Sequence, residues 1–209
     1  MFYDCSHHPA QFIYKLLTAT VTPRPIAWVS TRSQDGVVNV APFSFFNVMG
    51  SEPPTLALGL QPDPTRGLKD TAENIQATGE FVVNLVSADL AEKMNQTSVN
   101  APPEVSEIEL AGLETAASTL IQPPRLAEAP VSFECKLHCA VMTGPRQMIA
   151  IGTVVAVHIA DRFMVDPELG HVDAPALDLV ARMHGGGWYL RGGELFEMKR
   201  PAYKGTPRG

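Results

Sequence analysis

The sequence predicts a mainly β chain, a β-barrel with peripheral helices. Three observations carry this expectation. The chain holds 18 prolines in 209 residues, against an average usage of about 5%. They are neither periodic nor gathered in a tail. They punctuate short segments, as in "TPRPIAWVS", "APFSF", "SEPPTL" and "IQPPRLAEAP", and a chain broken so often rarely makes long helices. The segments between them are rich in β-branched and aromatic residues, which favour strands. Helical patterns interrupt these segments instead of alternating with them one by one, which disfavours a doubly wound α/β sheet.

Taken in order, "IAWVST" (26–31) and "VVNVA" (37–41) flank "RSQDG". Asp35-Gly36 is a tight-turn dipeptide, so the two read as a hairpin. "TLALGL" (55–60) reads as a short buried strand. "KDTAENIQATG" reads as a helix, with Asp70 and Glu73 spaced like a capping box and Gly79 as the stop. "FVVNLV" (81–86) is a further strand and "ADLAEKMNQTS" a second short helix. The stretch from "TSVNAPPEV" to "RLAEAP" is the longest irregular one, read as an excursion within one domain. "VSFECKLHCAVM" (131–142) and "MIAIGTVVAVHIA" (148–160) flank "TGPRQ" as a long central hairpin. "PALDLVARMHG" reads as a third helix, and "WYL" with "ELFEMKR" as a last hairpin around "RGG". No repeat and no linker divides the chain, so one domain is expected over 1–209, its core over about 12–200.

Composition excludes several classes. The net charge of −6 argues against a nucleic-acid binder, which needs a basic surface. No run of about eighteen apolar residues suggests a membrane span. The N-terminus "MFYDCSHHPAQFIYKLL" lacks the basic region and long apolar stretch of a signal peptide. Three cysteines are too few for a disulfide framework, and the cytoplasm is the expected location. Cys135 and Cys139 share a strand face by period two, with His138 on the other. Both are expected to be buried structural cysteines, and no metal site is expected. His7 and His8 read as a solvated terminus. There is no G-x-S-x-G elbow, no G-x-G-x-x-G after a strand and no P-loop.

Two motifs remain. Lys69, Asp70 and Thr71 open the "KDTAEN" helix, where free N–H groups, a partial positive charge and a lysine can seat a phosphate. Taken alone, the tripeptide also describes an ordinary cap with a solvated lysine. "NVAPFSFF" (39–46) carries a proline in a strand and a serine among three phenylalanines. Taken alone, these aromatics also describe plain core.

Together, "TPRPIAWVST", the "DG" turn, "NVAPFSFFNVMGSEPPTLALG", "KDTAENI" and "GEFVVNLV" resemble the flavin reductase-like family of FMN-binding split β-barrels. The flavoredoxin-type subgroup is the nearest match, and the likeness resumes at "ARMHGGGWYL". The resemblance implies that the chain leaves its strand at Pro42 and passes along the flavin edge. It implies that Arg24, Asn39, Ala41, Pro42, Phe43 and Ser44 line the flavin. It also implies that Lys69 and Thr71 take the phosphate while Asp70 caps the helix. At least one of the three phenylalanines is expected to be plain core. Arg182, His184 and Tyr189 are candidates for closing the site across a homodimer interface. His184 also fits an exposed loop, and Gly185-Gly186-Gly187 a flexible turn. Arg24, Arg182 and His184 are the candidates for stabilising reduced flavin.

The implied function is an FMN-binding oxidoreductase, most simply an NAD(P)H-dependent flavin reductase with NADH or NADPH as transient co-substrate. It could feed a monooxygenase or other redox-protein partner. Two alternatives share the same flavin seat: an FMN-holding electron carrier, and a reductase of a small electrophilic substrate with FMN bound throughout. Val154 to Val157 cannot all point into one barrel interior, which adds to the expectation of a dimer.

Overall fold

A computed structural model describes residues 1–62, 67–99, 101 and 105–201. In chain order its strands are β1 (Arg24–Pro25), β2 (Ala27–Arg32), β3 (Val38–Phe43), β4 (Phe46–Ser51), β5 (Pro54–Leu60), β6 (Glu80–Asn84), β7 (Thr115–Ala116), β8 (Arg125–Leu126), β9 (Val131–Gly144), β10 (Gln147–Ile159), β11 (Met164–Asp166), β12 (His171–Val172), β13 (Val180–Arg182) and β14 (Tyr189–Arg191). The α-helices are α1 (Ala10–Thr20), α2 (Asp70–Thr78), α3 (Ala91–Gln96) and α4 (Glu107–Leu110).

Seven strands make one sheet in the order β3-β2-β6-β9-β10-β5-β4, antiparallel throughout. Its two outermost strands, β3 and β4, are consecutive in the chain and joined only by Ser44 and Phe45. So short a link forces the sheet to curl until its edges meet, yet β3 and β4 do not pair. The outcome is a barrel split along one seam, and "NVAPFSFF" forms that seam.

Inside the barrel, Ala27, Val29, Phe43, Leu58, Phe81 and Met148 pack with Ile75 of α2. Full burial of each large side chain contributes about 1.5–3 kcal/mol. On the other face of β2, Trp28 packs with Val40, Leu90, Met94, Leu113 and Leu126. This explains the unbroken apolar run of "IAWVS": β2 is buried on both faces. It also explains the long irregular excursion. Its α4 and its β7–β8 ribbon are short, but Leu113 and Leu126 hold it against the sheet.

The Asp35-Gly36 hairpin, the β5 and β6 strands, the long β9–β10 hairpin and helix α2 with Gly79 at its C-cap (φ 71°) stand as the sequence predicts. Other expectations are corrected. The strand does not end at Pro42. It continues to Phe43, with Pro42 opposite Trp28, because β3 is an edge strand and on its open side a missing N–H costs no ladder bond. The cap of α2 is Lys69, with φ −79° and ψ 153°, and it makes no side-chain cap bond. Asp70 is the first helical residue, so no capping box forms. Its carboxylate and that of Glu73 instead favour the first turn by opposing the helix dipole.

"PALDLVARMHG" is not a helix. A short turn at Pro175–Leu177 leads into strand β13. "WYL" pairs through β14 with β13 and not with "ELFEMKR", which has no strand. Cys139 is exposed while Cys135 is buried. Ile151 pairs with Cys139 and Gly152 with Leu137, leaving His138 as an extra residue, and from His138 to Thr143 both faces of β9 are exposed, so Cys139 is uncovered whichever face it lies on. Burial pushes the Cys135 thiol up to about 12, with the nearby Glu134 charge adding to it. The longest elements without a sequence expectation are α1 and β4. Among the described residues, strand β4 pairs only with β5; it carries a bulge between Val48 and Gly50 and leaves Val48 and Met49 exposed, so it shows no clean alternation.

Candidate functional site

Helix α2 crosses β2 and β3 and is fixed there by polar as well as apolar contacts. Asn74 Nδ2 donates to Thr31 Oγ1 at 3.0 Å, and Asn39 Nδ2 donates to Thr71 Oγ1 at 2.9 Å. Asn39 and Thr71 are both buried. A cavity of about 60 Å³ opens at the start of this helix. Its walls are Asn39, Ala41 and Pro42 of β3, Lys69, Asp70 and Thr71 of α2, and Thr97, Ser98, Val99, Ala101 and Glu107 from the segment after α3. The Lys69 ammonium stands 5.8 Å from the centre of the Phe43 ring. Two carboxylates, Asp70 and Glu107, share these walls. Glu107 is buried and accepts the Val40 N–H of the edge strand at 3.4 Å.

The other end of the seam is organised by Arg24. It is buried, and its Nη1 donates to Thr18 O at 2.7 Å and Val21 O at 2.8 Å. Its Nη2 donates to Met183 O at 2.7 Å, and its Nε reaches Ser44 Oγ at 3.4 Å. Arg24 therefore ties the end of α1, the end of β13 and the seam together. Among the described residues its hydrogen-bond partners are all neutral, so none of them cancels its charge. Burial pushes the guanidinium below the ordinary arginine value; Tyr14 offsets part of this and Arg182 adds a smaller push downward.

Arg24 pairs with Arg182 across β1 and β13, and Arg182 lies 4.7 Å from the Tyr189 ring centre. A second, mostly apolar cavity of about 490 Å³ begins at Ser44 and runs between α1, β4, β5 and β10.

The sequence profile of the flavin reductase like domain matches residues 19–173. The chain belongs to the flavin reductase-like family. An uncharacterized relative from Deinococcus radiodurans is 42% identical over 207 residues, covering 96% of this chain and 90% of its own. Nitrilotriacetate monooxygenase component B from Bacillus cereus superposes with a TM-score of 0.89 at 34% identity, over 95% of this chain and 98% of that one. The 2-nitrobenzoate 2-nitroreductase of Pseudomonas fluorescens superposes with a TM-score of 0.88 at 30% identity, over 99% of each chain. At 19% identity and a TM-score of 0.76, the flavoredoxin of Desulfovibrio vulgaris (Miyazaki F) shares the split-barrel fold over 95% of this chain and 97% of its own.

Within this family fold, the structure gathers six of the residues expected from sequence, Asn39, Ala41, Pro42, Lys69, Asp70 and Thr71, around one cavity. Arg24 and Ser44 sit together at the second. Phe43 lies between them, turned into the barrel core beneath Lys69. Phe45 lines the second cavity and Phe46 packs half-buried against the core. His184 lines neither cavity. It is exposed, with Nδ1 3.1 Å from Gly185 O and its ring 5.9 Å from that of Trp188. Sequence reasoning missed Thr97, Ser98 and Glu107. The polar "QTS" at the end of α3 hinted at the first two. Nothing in "SEIEL" set Glu107 apart from a surface acid.

Proposed function

We propose that this chain is an FMN-binding oxidoreductase that accepts hydride from NADH or NADPH. The observation that carries the reading is the joint placement of Lys69, Thr71 and Asn39 around one cavity at a helix start, beside the barrel seam. The cavity fits a phosphate. It exceeds several-fold the roughly 10–15 Å³ that a single water needs, and it offers a lysine, a hydroxyl, an amide and the positive end of α2. From there, Ala41 to Ser44 run along the seam toward Arg24, and their edge-strand backbone and the Ser44 hydroxyl suit the polar rim of a flavin ring. When bound, FMN supplies the two-electron chemistry. The protein's part is to seat the phosphate, orient the ring and keep a positive potential near it through Arg24. Arg182, His184 and Tyr189 serve as the closing elements, and we assign them to the interface of a two-fold homodimer.

The similarity to a monooxygenase component supports a monooxygenase partner that consumes reduced flavin. The similarity to a nitroreductase supports the second reading, reduction of a small electrophilic substrate by retained FMN. The fold itself is equally at home in a carrier, so the test has to separate all three.

Calorimetric titration with FMN should give micromolar or tighter binding, and riboflavin should bind far more weakly. Lys69→Ala should weaken FMN by about 1–3 kcal/mol and leave riboflavin unchanged. Equal affinities for FMN and riboflavin would remove the phosphate seat. Stopped-flow mixing of the FMN-loaded protein with NADH and with NADPH then tests the hydride step. Rapid bleaching of the flavin band supports a reductase, and its absence with both leaves the carrier. Sedimentation with and without FMN tests the dimer, since a ligand held by both chains favours assembly.

A further inference from the structure

We propose that a third cavity, between β10 and the chain that leaves β8, binds a short hydroxycarboxylic acid. Its volume of about 370 Å³ lies within the range of about 300–1,000 Å³ usual for small-molecule pockets. Arg125 and His158 line it, with aliphatic walls from Ala127, Ala129, Val157 and Ile159. It shares no lining residue with the cavities at Lys69 and at Ser44, and none of its residues is assigned to the flavin.

The site is built from the sheet outward. Strand β10 sets His158 opposite Ser132 of β9, and His158 Nε2 lies 2.6 Å from Glu134 Oε1. The Glu134 side chain is fully out of solvent. A carboxylate only accepts, so Nε2 carries a proton. In the neutral imidazole the lone pair then sits on Nδ1. Among the described residues Nδ1 has no hydrogen-bond partner, and no buried side-chain nitrogen or oxygen lacks one, so Nδ1 is open to solvent. The buried carboxylate thus fixes the ring from behind and leaves an acceptor in front.

Arg125 supplies the charge. Its strand is held by Leu126, which is buried and donates its N–H to Asn84 Oδ1 at 3.0 Å. Arg125 Nε donates to Ala117 O at 3.2 Å. Its two Nη groups have no partner among the described residues, which leaves the planar fork open to a carboxylate. Glu128, between Ala127 and Ala129 in the chain, lines no part of the cavity and is paired with Lys93 at 2.7 Å. One open guanidinium fork, one fixed acceptor and aliphatic walls together suit a carboxylate, a hydroxyl that donates, and a short carbon chain.

The experiment is an NMR titration of the full chain, with and without FMN, that follows the imidazole nitrogens. The probes are lactate, propionate and lactamide. The His158 signals are assigned by their absence from His158→Gln, in which the amide can still donate to Glu134 but the ring acceptor is gone. Lactate should shift the Nδ1 signal of His158 saturably, and equally in both states. Propionate, lacking the hydroxyl, and lactamide, lacking the charge, should each bind at least about tenfold more weakly. Arg125→Gln should weaken lactate by at least about tenfold and leave FMN affinity unchanged. If His158→Gln does not fold, Arg125→Gln carries the test, with His158 assigned through its backbone neighbours. The proposal is overturned if lactate shifts no His158 signal at millimolar concentration, or if Arg125→Gln binds it as before. It is also overturned if propionate or lactamide binds as well as lactate. Competition between lactate and FMN overturns it too, since the cavity then belongs to the flavin.

Discussion

Arg24 and Glu134 are both buried charges that pin a peripheral segment to the barrel, but they do so with opposite chemistry. Arg24 spends its donors on three backbone carbonyls and the Ser44 hydroxyl. Glu134 accepts the Thr119 N–H at 2.6 Å, the Leu120 N–H at 2.7 Å and a contact from His158 Nε2 at 2.6 Å. Arg24 faces a cavity and keeps its charge. Glu134 is sealed, with a side chain fully out of solvent and a histidine beside it. One brace keeps a potential available to a ligand; the other holds the excursion on the sheet. Stability and ligand binding should therefore separate at Glu134 and move together at Arg24.

The largest effect is expected at Glu134. Glu134→Ala strands two backbone N–H groups and a histidine, and breaking a buried pair of this kind costs about 3–5 kcal/mol. For a domain of this size the melting temperature falls about 2–4 °C per kcal/mol. FMN affinity, measured at a temperature where the variant is still folded, should not change. A flavin affinity that falls in proportion to stability would show that the excursion supports the site after all.

At Arg24 the informative change is to lysine, which keeps the charge and loses the planar fork. An ammonium cannot reach the Thr18, Val21 and Met183 carbonyls and Ser44 together. Arg24→Lys should cost about 1–3 kcal/mol of stability and also loosen Ser44, so FMN affinity should drop as well. Urea unfolding and FMN titration of the same preparation provide the paired readout. A variant that loses stability yet binds FMN normally would reduce Arg24 to a brace like Glu134.

The two braces also mark the limit of what the sequence made legible. Lys69 and Thr71 carry a local signal, a lysine at a helix start, which alone also describes an ordinary cap; the resemblance singled them out, and the structure sets them around one cavity with Asn39. The resemblance flagged Arg24, but not its work: its partners lie at Thr18, Val21 and Met183, the last 159 residues away. Glu134 sits in the strand "VSFECKLHCAVM" with nothing local to mark it. Its partners come from an excursion with no periodicity of its own. Likewise the chain's exit from β3, one residue past Pro42, depends on β3 being an edge, which is a property of the whole sheet. Local chemistry was readable; bonds that close long loops were not.

The smallest effect is a slope with pH, and it sharpens the contrast further. Burial alone pushes the Glu134 carboxyl up, but the hydrogen bonds from Thr119, His158 and Leu120, with the His158 charge, outweigh it and hold the group below its ordinary value of 4.5. A carboxylate depressed in the folded state contributes stability that is fully present above its unfolded value. That contribution is lost as pH falls through the lower folded value. Stability should therefore hold level through the weakly acidic range and decline below about pH 4.5, as the excursion loses its anchor. Glu134→Gln cannot titrate, so its stability, lower at neutral pH, should approach that of the parent protein as the acid is reached. Arg24 stays charged across this whole range, so Arg24→Lys should leave the slope unchanged. Urea midpoints taken in steps from neutral to acid pH on all three proteins read this directly. A parallel decline in parent and Glu134→Gln would assign the acid loss to other carboxylates and leave Glu134 a purely geometric clamp.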